Sequence, residues 1–166
     1  MHASNRKEQG VAGPDVSALD LHGQTTARFN SSWTLVNRRV EPARGRECPE
    51  GEMCFRVTGV VRSRFRATVT IKMPAVPPGL TQCQRKRVHA FINTVLFSHE
   101  REHRTRLQSY DGVVDTPIDV TGCWPSEVRV ELQAVHDAVD GRRRDTARDH
   151  SAAIDPFTPE IDLDCD

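Results

Sequence analysis

The feature that most constrains this chain is the pentapeptide His99-Glu100-Arg101-Glu102-His103, an H-E-x-x-H motif. On a helix, residues four apart leave the same face about one turn apart, so His99 and His103 present their rings side by side. Two imidazole nitrogens placed in this way can bind one Zn²⁺ ion. Glu100 would then lie beside the metal, where it can take a proton from a zinc-bound water. The motif therefore predicts a zinc site with His99 and His103 as ligands and Glu100 as the catalytic base.

Apolar residues around the motif predict that it lies on the inner face of a long helix. They follow the i, i+3, i+4 spacing that His99 and His103 continue. These residues are Val88, Phe91, Ile92, Val95, Leu96, Leu107 and Tyr110. Thr81 is a suitable N-cap and Asp111-Gly112 a suitable stop, so we expect a helix from about residue 81 to residue 110. The alternative to a zinc site is a charged, solvated helix with two ordinary core histidines.

Strand-like patterns precede this helix and a second helical pattern follows it. The strand candidates are segments 33–40, 54–61 and 66–73, and the last alternates apolar with polar residues. Residues 111–125 contain two prolines and two glycines and are expected to form a connection. The second helix is expected to begin at Ser126. The pattern predicts an α+β fold: a small antiparallel sheet, the H-E-x-x-H helix and a second long helix.

Length and charge indicate one domain that does not bind nucleic acid and has no membrane span. The 166 residues divide into a flexible leader (1–30), a folded domain (31–152) and an extended acidic tail (153–166). The formal net charge is zero, whereas a dedicated nucleic-acid binder usually carries a basic excess. The basic clusters 85–87 and 142–144 are interpreted as solvated faces. No run of apolar residues is long enough to span a membrane.

The five cysteines include no C-x-x-C pair, so they do not indicate a zinc ribbon. Their positions at the edges of elements favour disulfides and an oxidising compartment, the alternative being five buried free thiols. We expect Cys48 and Cys54 to close a short loop, Cys83 to pair with Cys123, and Cys165 to be left over. The location is then secreted or periplasmic. Since the N-terminus lacks the apolar core of a signal peptide, either the signal is removed, export takes another route, or the protein stays inside the cell.

A catalytic zinc site needs a third protein ligand. The metzincin spacing is absent, because Arg106 and Ser109 stand where that class has glycine and histidine. The remaining candidates are acidic or histidine residues further along: Glu127, Glu131, His136, Asp145, Asp149 and His150. Asp145 or Asp149 could instead orient a ligand histidine. His136 and Tyr110 are candidate donors to a developing oxyanion.

The order of these motifs resembles a bacterial family of predicted secreted zinc-dependent proteases with a zincin-like domain. The matching segments are Ile71-Lys72-Met73-Pro74, the H-E-x-x-H motif, Cys123, and Asp145-Thr146-Ala147-Arg148-Asp149-His150. The family has a tyrosine, a threonine and a glycine where this chain has Arg144, Arg148 and Ser151. The resemblance implies a zincin-like fold with His150 as the third ligand, ahead of Glu131. In such folds an edge strand, here segment 66–73, pairs with an extended substrate.

These observations predict a zinc metallopeptidase that hydrolyses a protein or peptide substrate. Zn²⁺ would be held by His99, His103 and His150, and Glu100 would activate the attacking water. Such a domain suits a secreted enzyme or a toxin or effector domain. The alternative is a non-catalytic secreted binding domain with a structural or relic zinc site. The two differ in their ligands, since a structural site has four protein ligands and a catalytic site keeps a position for water.

Overall fold

The computed structural model describes residues 19, 21–43, 48–49 and 53–165. Within these ranges the strands and helices are β1 (Gln24–Pro42), β2 (Phe55–Lys72), α1 (Gln82–Phe91), α2 (Phe97–Leu107), β3 (Gly112–Gly122) and α3 (Pro125–Ala152). A π-helical segment, Ile92–Leu96, joins α1 to α2, and a 3-10 turn, Gln108–Tyr110, follows α2. The chain is therefore α+β, as the sequence patterns predicted.

The strands form an antiparallel sheet in the order β1-β2-β3. β1 pairs with the whole of β2, from Gln24↔Lys72 to Pro42↔Phe55, apart from a bulge between Val36 and Arg39. Asn37 lies in this bulge with φ 54, a left-handed conformation that asparagine tolerates better than most residues. β3 pairs only with the first part of β2, up to Phe65. The remainder of β2 therefore has β1 as its one neighbouring strand among the described residues.

The predicted strand boundaries were wrong in two places. Segments 54–61 and 66–73 belong, except for residues 54 and 73, to the single strand β2. Residues 24–30, which we assigned to the leader, are the first part of β1. Residues 1–18 of that predicted leader lie outside the described residues. The inward-facing side chains of β1 at this end are Thr25, Ala27 and Phe29, of which only Phe29 is a large apolar residue, so little apolar alternation marks this segment. Residues 24–30 form a strand mainly because they pair with β2, since their intrinsic β-strand propensity contributes little.

β3 lies in the segment that we predicted to be a connection. Pro117 led to that prediction, because a proline lacks the N–H group of a strand ladder. β3 is an edge strand in the described sheet, where proline is tolerated. Its inner face is nevertheless apolar at Ile118, which is 9% exposed.

The helices pack on one face of the sheet and form a two-layer core. Val57, Val61 and Ile118 of the sheet pack with Val128 and Leu132 of α3. Further along the same face, a second cluster joins the sheet to Tyr110 and the later part of α3. α3 runs without a break through Gly141.

The helix that carries the motif begins and ends near the predicted residues. Thr81 caps it through a capping box with Gln84, in which each side chain accepts from the other residue's backbone N–H. The π segment changes which of the apolar residues face inward, because its i→i+5 hydrogen bonds widen the helical turn. Phe91 and Leu96, five residues apart, are both buried, whereas Val95 is 38% exposed. The regular α-helix resumes before the motif.

Residues 153 and 154 form a turn, residues 155–165 contain no helix or strand, and the whole segment packs against the fold. Leu163 is 8% exposed and lies in a cluster with α1 and the π segment, to which Phe157 and Ile161 also contribute. Arg87 of α1 donates to Asp162 at 2.5 Å. This ordered segment, residues 153–165, is called the tail below.

The disulfides differ from two of the predicted pairings. Cys83 pairs with Cys165 and ties the tail to α1, so the predictions of a Cys83–Cys123 bond and an unpaired Cys165 were wrong. Cys48 lies within bonding distance of both Cys54, as expected, and Cys123. One sulfur atom forms only one disulfide, so Cys48 can be bonded to Cys54 or to Cys123 but not to both at once. The sulfurs of Cys54 and Cys123 are 3.9 Å apart.

Candidate metal centre

The two motif histidines present their Nε2 atoms to each other on the inner face of α2. The two nitrogens are 2.9 Å apart, and the rings meet edge to face with centroids 4.5 Å apart. Both side chains are largely buried, with exposed fractions of 9% for His99 and 12% for His103. The i, i+4 spacing thus converges the two nitrogens on one point, as the motif predicted.

A third donor comes from the tail. Asp155 Oδ1 lies 3.3 Å from His99 Nε2 and 3.5 Å from His103 Nε2. The three ligand atoms all lie within 4.8 Å of one another, so the group could hold a metal ion. Two imidazoles and one carboxylate form a donor set that zinc uses in catalytic sites.

Neighbouring residues hold both histidine rings. His103 Nδ1 lies 2.8 Å from the Ser151 hydroxyl at the end of α3. With Nδ1 protonated and donating to that hydroxyl, the lone pair of Nε2 is directed towards the shared point. The ring of His99 stacks on Phe157 of the tail, with centroids 3.9 Å apart and planes inclined by 6°. The histidine orientations are therefore set by the end of α3 and by the tail.

Glu100 is buried beside the histidines, with 4% of its surface exposed. The hydroxyl of Thr25 in β1 donates to Glu100 Oε2 at 2.5 Å. Gly23 lies against the same side chain, since a Cβ atom there would come within 2.5 Å of Glu100. A side chain at position 23 would therefore displace the Glu100 carboxylate from this position. The start of β1 thus orients the carboxylate.

A cavity of about 490 Å³ contains these groups. Its walls come from the start of β1, from α2, from the end of α3 and from the tail. They include His22, Gly23, Thr25, Phe29, His99, Glu100, His103, Arg148, Ser151, Asp155 and Phe157. The strand that lines the cavity is therefore β1. Residues 66–72 of β2, in the segment that we expected to pair with a substrate, have β1 on one side and no second strand partner among the described residues, and they do not line the cavity.

His150, the predicted third ligand, does not join the group. Its side chain is exposed, and its backbone carbonyl accepts from Arg106 at 3.0 Å. The adjacent residue Ser151 faces His103 instead, because successive residues on a helix point about 100° apart. Asp155, five residues beyond His150, takes the predicted place of the third donor. The end of α3 reaches the motif through Ser151, and the third donor comes from the tail.

The other candidate ligands on α3 also lie elsewhere. Glu131, Asp145 and Asp149 are exposed, and Glu127 accepts the backbone N–H of Cys123 at 2.8 Å. None of these belongs to the histidine group within the described part of the chain.

His136 and Tyr110, the candidate oxyanion donors, are core residues. His136 is 4% exposed and bonds to the hydroxyls of Ser63 at 2.9 Å and Ser31 at 3.1 Å. Tyr110 is fully buried and donates to Asp140. Burial, followed by this hydrogen bond, raises the pKa of the Tyr110 hydroxyl above its usual value. Neither residue lines the cavity.

Cys48, Cys54 and Cys123 form a second group with metal-binding side chains. A disulfide between two of them removes two thiolates from that ligand set. The histidine group is therefore the better candidate metal centre. No helix among the described residues is long and apolar enough to cross a membrane.

Sequence reasoning missed Asp155, Thr25 and Gly23. Asp155 lies in an acidic segment whose pattern offers no helix face to align with the motif. A glycine and a threonine in a polar stretch carry no metal-site signature of their own. The Asp155-Pro156 dipeptide just beyond the end of α3 is a turn signal, and it was the one local indication that the chain changes direction at Asp155.

Comparisons of the chain with protein-family models, with curated proteins and with solved structures gave no match. The resemblance to secreted zinc-dependent proteases therefore stays a prediction.

Proposed function

We propose that this protein is a zinc-dependent metallopeptidase with a zincin-like site formed by His99, His103 and Asp155. The observation that carries the proposal is the convergence of these three ligand atoms in one cavity with the buried Glu100. A group of three protein ligands is typical of catalytic zinc sites, whereas structural sites usually have four.

Each residue around the proposed metal has its own role in the hydrolysis. Zn²⁺ at this site would polarise a substrate carbonyl and lower the pKa of a water molecule. Thr25 holds Oε2 of Glu100, which leaves Oε1 to accept the proton of the attacking water. Glu100 then delivers that proton to the leaving amine. Ser151 keeps the His103 ring in the orientation that ligation needs.

The cavity lies along β1, which favours an extended peptide as the substrate. An extended chain can add to the free side of an edge strand through backbone hydrogen bonds. The Cys83–Cys165 disulfide favours an oxidising compartment, so we place the enzyme outside the cytosol, as a secreted or periplasmic protein.

Metal content tests the ligand set. We expect about one zinc per chain in the parent protein by plasma mass spectrometry. The variants His99→Ala and Asp155→Ala should lose it, and His150→Ala should keep it. Zinc retained in Asp155→Ala but lost in His150→Ala would overturn our assignment of the third ligand. A parent protein that takes up no zinc would overturn the metal centre itself.

Hydrolysis of fluorescein-labelled casein tests the role of Glu100. We expect Glu100→Gln to keep its zinc and to lose activity by about 10²–10⁴-fold, the usual contribution of a general base. Glu102→Gln is the matched control, because Glu102 is exposed on the same helix and pairs with Arg106. Equal activity in the parent and Glu100→Gln would contradict the mechanism. A zinc-loaded parent without hydrolysis would favour the alternative, a non-catalytic zinc domain.

A further inference from the structure

Arg148 is a cation in the wall of the proposed catalytic cavity. It lies on the last turns of α3, three residues before Ser151, and lines the cavity together with Glu100 and His103. Its guanidinium carbon is 5.5 Å from the centroid of the Phe29 ring of β1. This distance is within the range of a cation–π contact. The ring therefore supports the guanidinium group at one side of the cavity.

Arg148 has no carboxylate partner among the described residues. Other arginines of this protein form ion pairs, for example Arg62 with Asp115 and Arg144 with Asp140. None of the ion pairs in the described ranges includes Arg148. The acidic groups of the cavity are already engaged, Glu100 by Thr25 and Asp155 by the two histidines. The hydrogen-bond donors of Arg148 are thus open to a ligand.

We propose that Arg148 forms a binding subsite for a carboxylate group of the peptide substrate. The guanidinium fork matches a carboxylate in two parallel hydrogen bonds, which a point charge cannot reproduce. The carboxylate can be the C-terminus of the peptide or the side chain of an aspartate or glutamate near the cleaved bond. This inference rests on the proposed peptidase function and specifies the substrate that the site selects.

Peptide binding to the full-length Glu100→Gln protein tests the subsite without hydrolysis. Fluorescence anisotropy is measured with two pairs of short labelled peptides. One pair differs only in a C-terminal carboxylate or amide. The other has blocked ends and differs only in a central glutamate or glutamine. We expect the carboxylate member of at least one pair to bind about tenfold or more tightly than its neutral partner, because charge-assisted pairs are among the stronger hydrogen bonds. The pair that shows the preference identifies the source of the carboxylate.

Variants at position 148 test whether Arg148 causes the preference for the carboxylate peptides. Arg148→Gln should abolish the preference, and Arg148→Lys should keep part of it, because lysine retains the charge but not the fork. Arg142→Gln is the matched control, since Arg142 is exposed on the same helix and does not line the cavity. Equal binding of both members in both pairs would overturn the subsite, and so would an equal loss of preference in Arg142→Gln.

Failure of this inference is distinguishable from failure of the proposed function. Casein hydrolysis without any carboxylate preference overturns the subsite and leaves the peptidase proposal intact. A carboxylate preference that depends on Arg148, in a parent protein that hydrolyses nothing, supports the subsite and overturns the peptidase proposal.

Discussion

Two glutamates of the motif, two residues apart, have different environments. Glu100 is 4% exposed and bonds to Thr25, whereas Glu102 is exposed and bonds to Arg106 one turn away. A separation of two residues rotates the side chain by about 200° around the helix axis, so the two carboxylates cannot share a face. Glu100 therefore lies at the candidate metal centre, and Glu102 faces away from it.

Tyr110 allows a direct measurement of a buried group, because it is the only tyrosine of the chain. Its pKa is raised by burial and by Asp140. We expect the tyrosinate absorbance to appear at higher pH in the folded protein than in the urea-unfolded protein, where the pKa is about 10. Since folding favours the neutral hydroxyl, its contribution to stability is complete below about pH 10 and is lost as pH rises through the folded value. Identical titration curves in the two states would contradict this, and Tyr110→Phe supplies the baseline.

At the scale of elements, the tail supplies the third donor of the candidate metal centre. It supplies Asp155 and the Phe157 ring, and it has no secondary structure of its own. Its position depends on the Cys83–Cys165 bond, on the buried Leu163 and on the Arg87–Asp162 ion pair. The exposed ion pair contributes little, so the disulfide and the apolar contacts are the main restraints.

Removal of the tail disulfide should weaken metal binding. We expect the double variant Cys83→Ser/Cys165→Ser to bind zinc about tenfold or more weakly, the range seen when a group that holds a ligand in place is lost. Isothermal calorimetry with zinc chloride measures the affinity. Cys48→Ser is the control, because it removes a disulfide partner outside the tail and should leave the affinity unchanged. A double variant as tight as the parent would show that Asp155 is held without the disulfide.

At the scale of the whole molecule, stability depends on the layer between the sheet and α3. Val57, Val61 and Ile118 meet Val128 and Leu132 there, and all five are at most 9% exposed. The sheet also positions Thr25 beside the motif helix. The same packing that stabilises the fold therefore sets the distance between β1 and α2, on which the geometry of Glu100 depends.

Leu132→Ala should lower the free energy of unfolding by about 2–5 kcal/mol, the usual cost of a cavity at a buried leucine. Urea denaturation measures the change. Val130→Ala on the same helix is the control, because Val130 is 67% exposed and its truncation should change stability by less than about 0.5 kcal/mol. Similar losses in the two variants would contradict the two-layer packing.

The sequence by itself determined the local features of this protein. The convergence of His99 and His103 follows from helix geometry, and the Thr81 cap and the stop before Gly112 follow from side-chain chemistry over a few residues. The α+β class could be predicted for the same reason, since periods of 2 and 3.6 residues are visible in short windows.

Only the tertiary structure decided which residues complete the site. The site is completed by Asp155 from the tail, Thr25 from β1 and Ser151 from the end of α3. Thr25 is 75 positions from its hydrogen-bond partner Glu100, and Ser151 is 48 positions from its partner His103. β3 likewise became a strand through pairing with β2, despite Pro117. Contacts between distant segments depend on how whole elements pack. Because they leave no periodic pattern in the sequence, the third donor could not be identified from the chain alone.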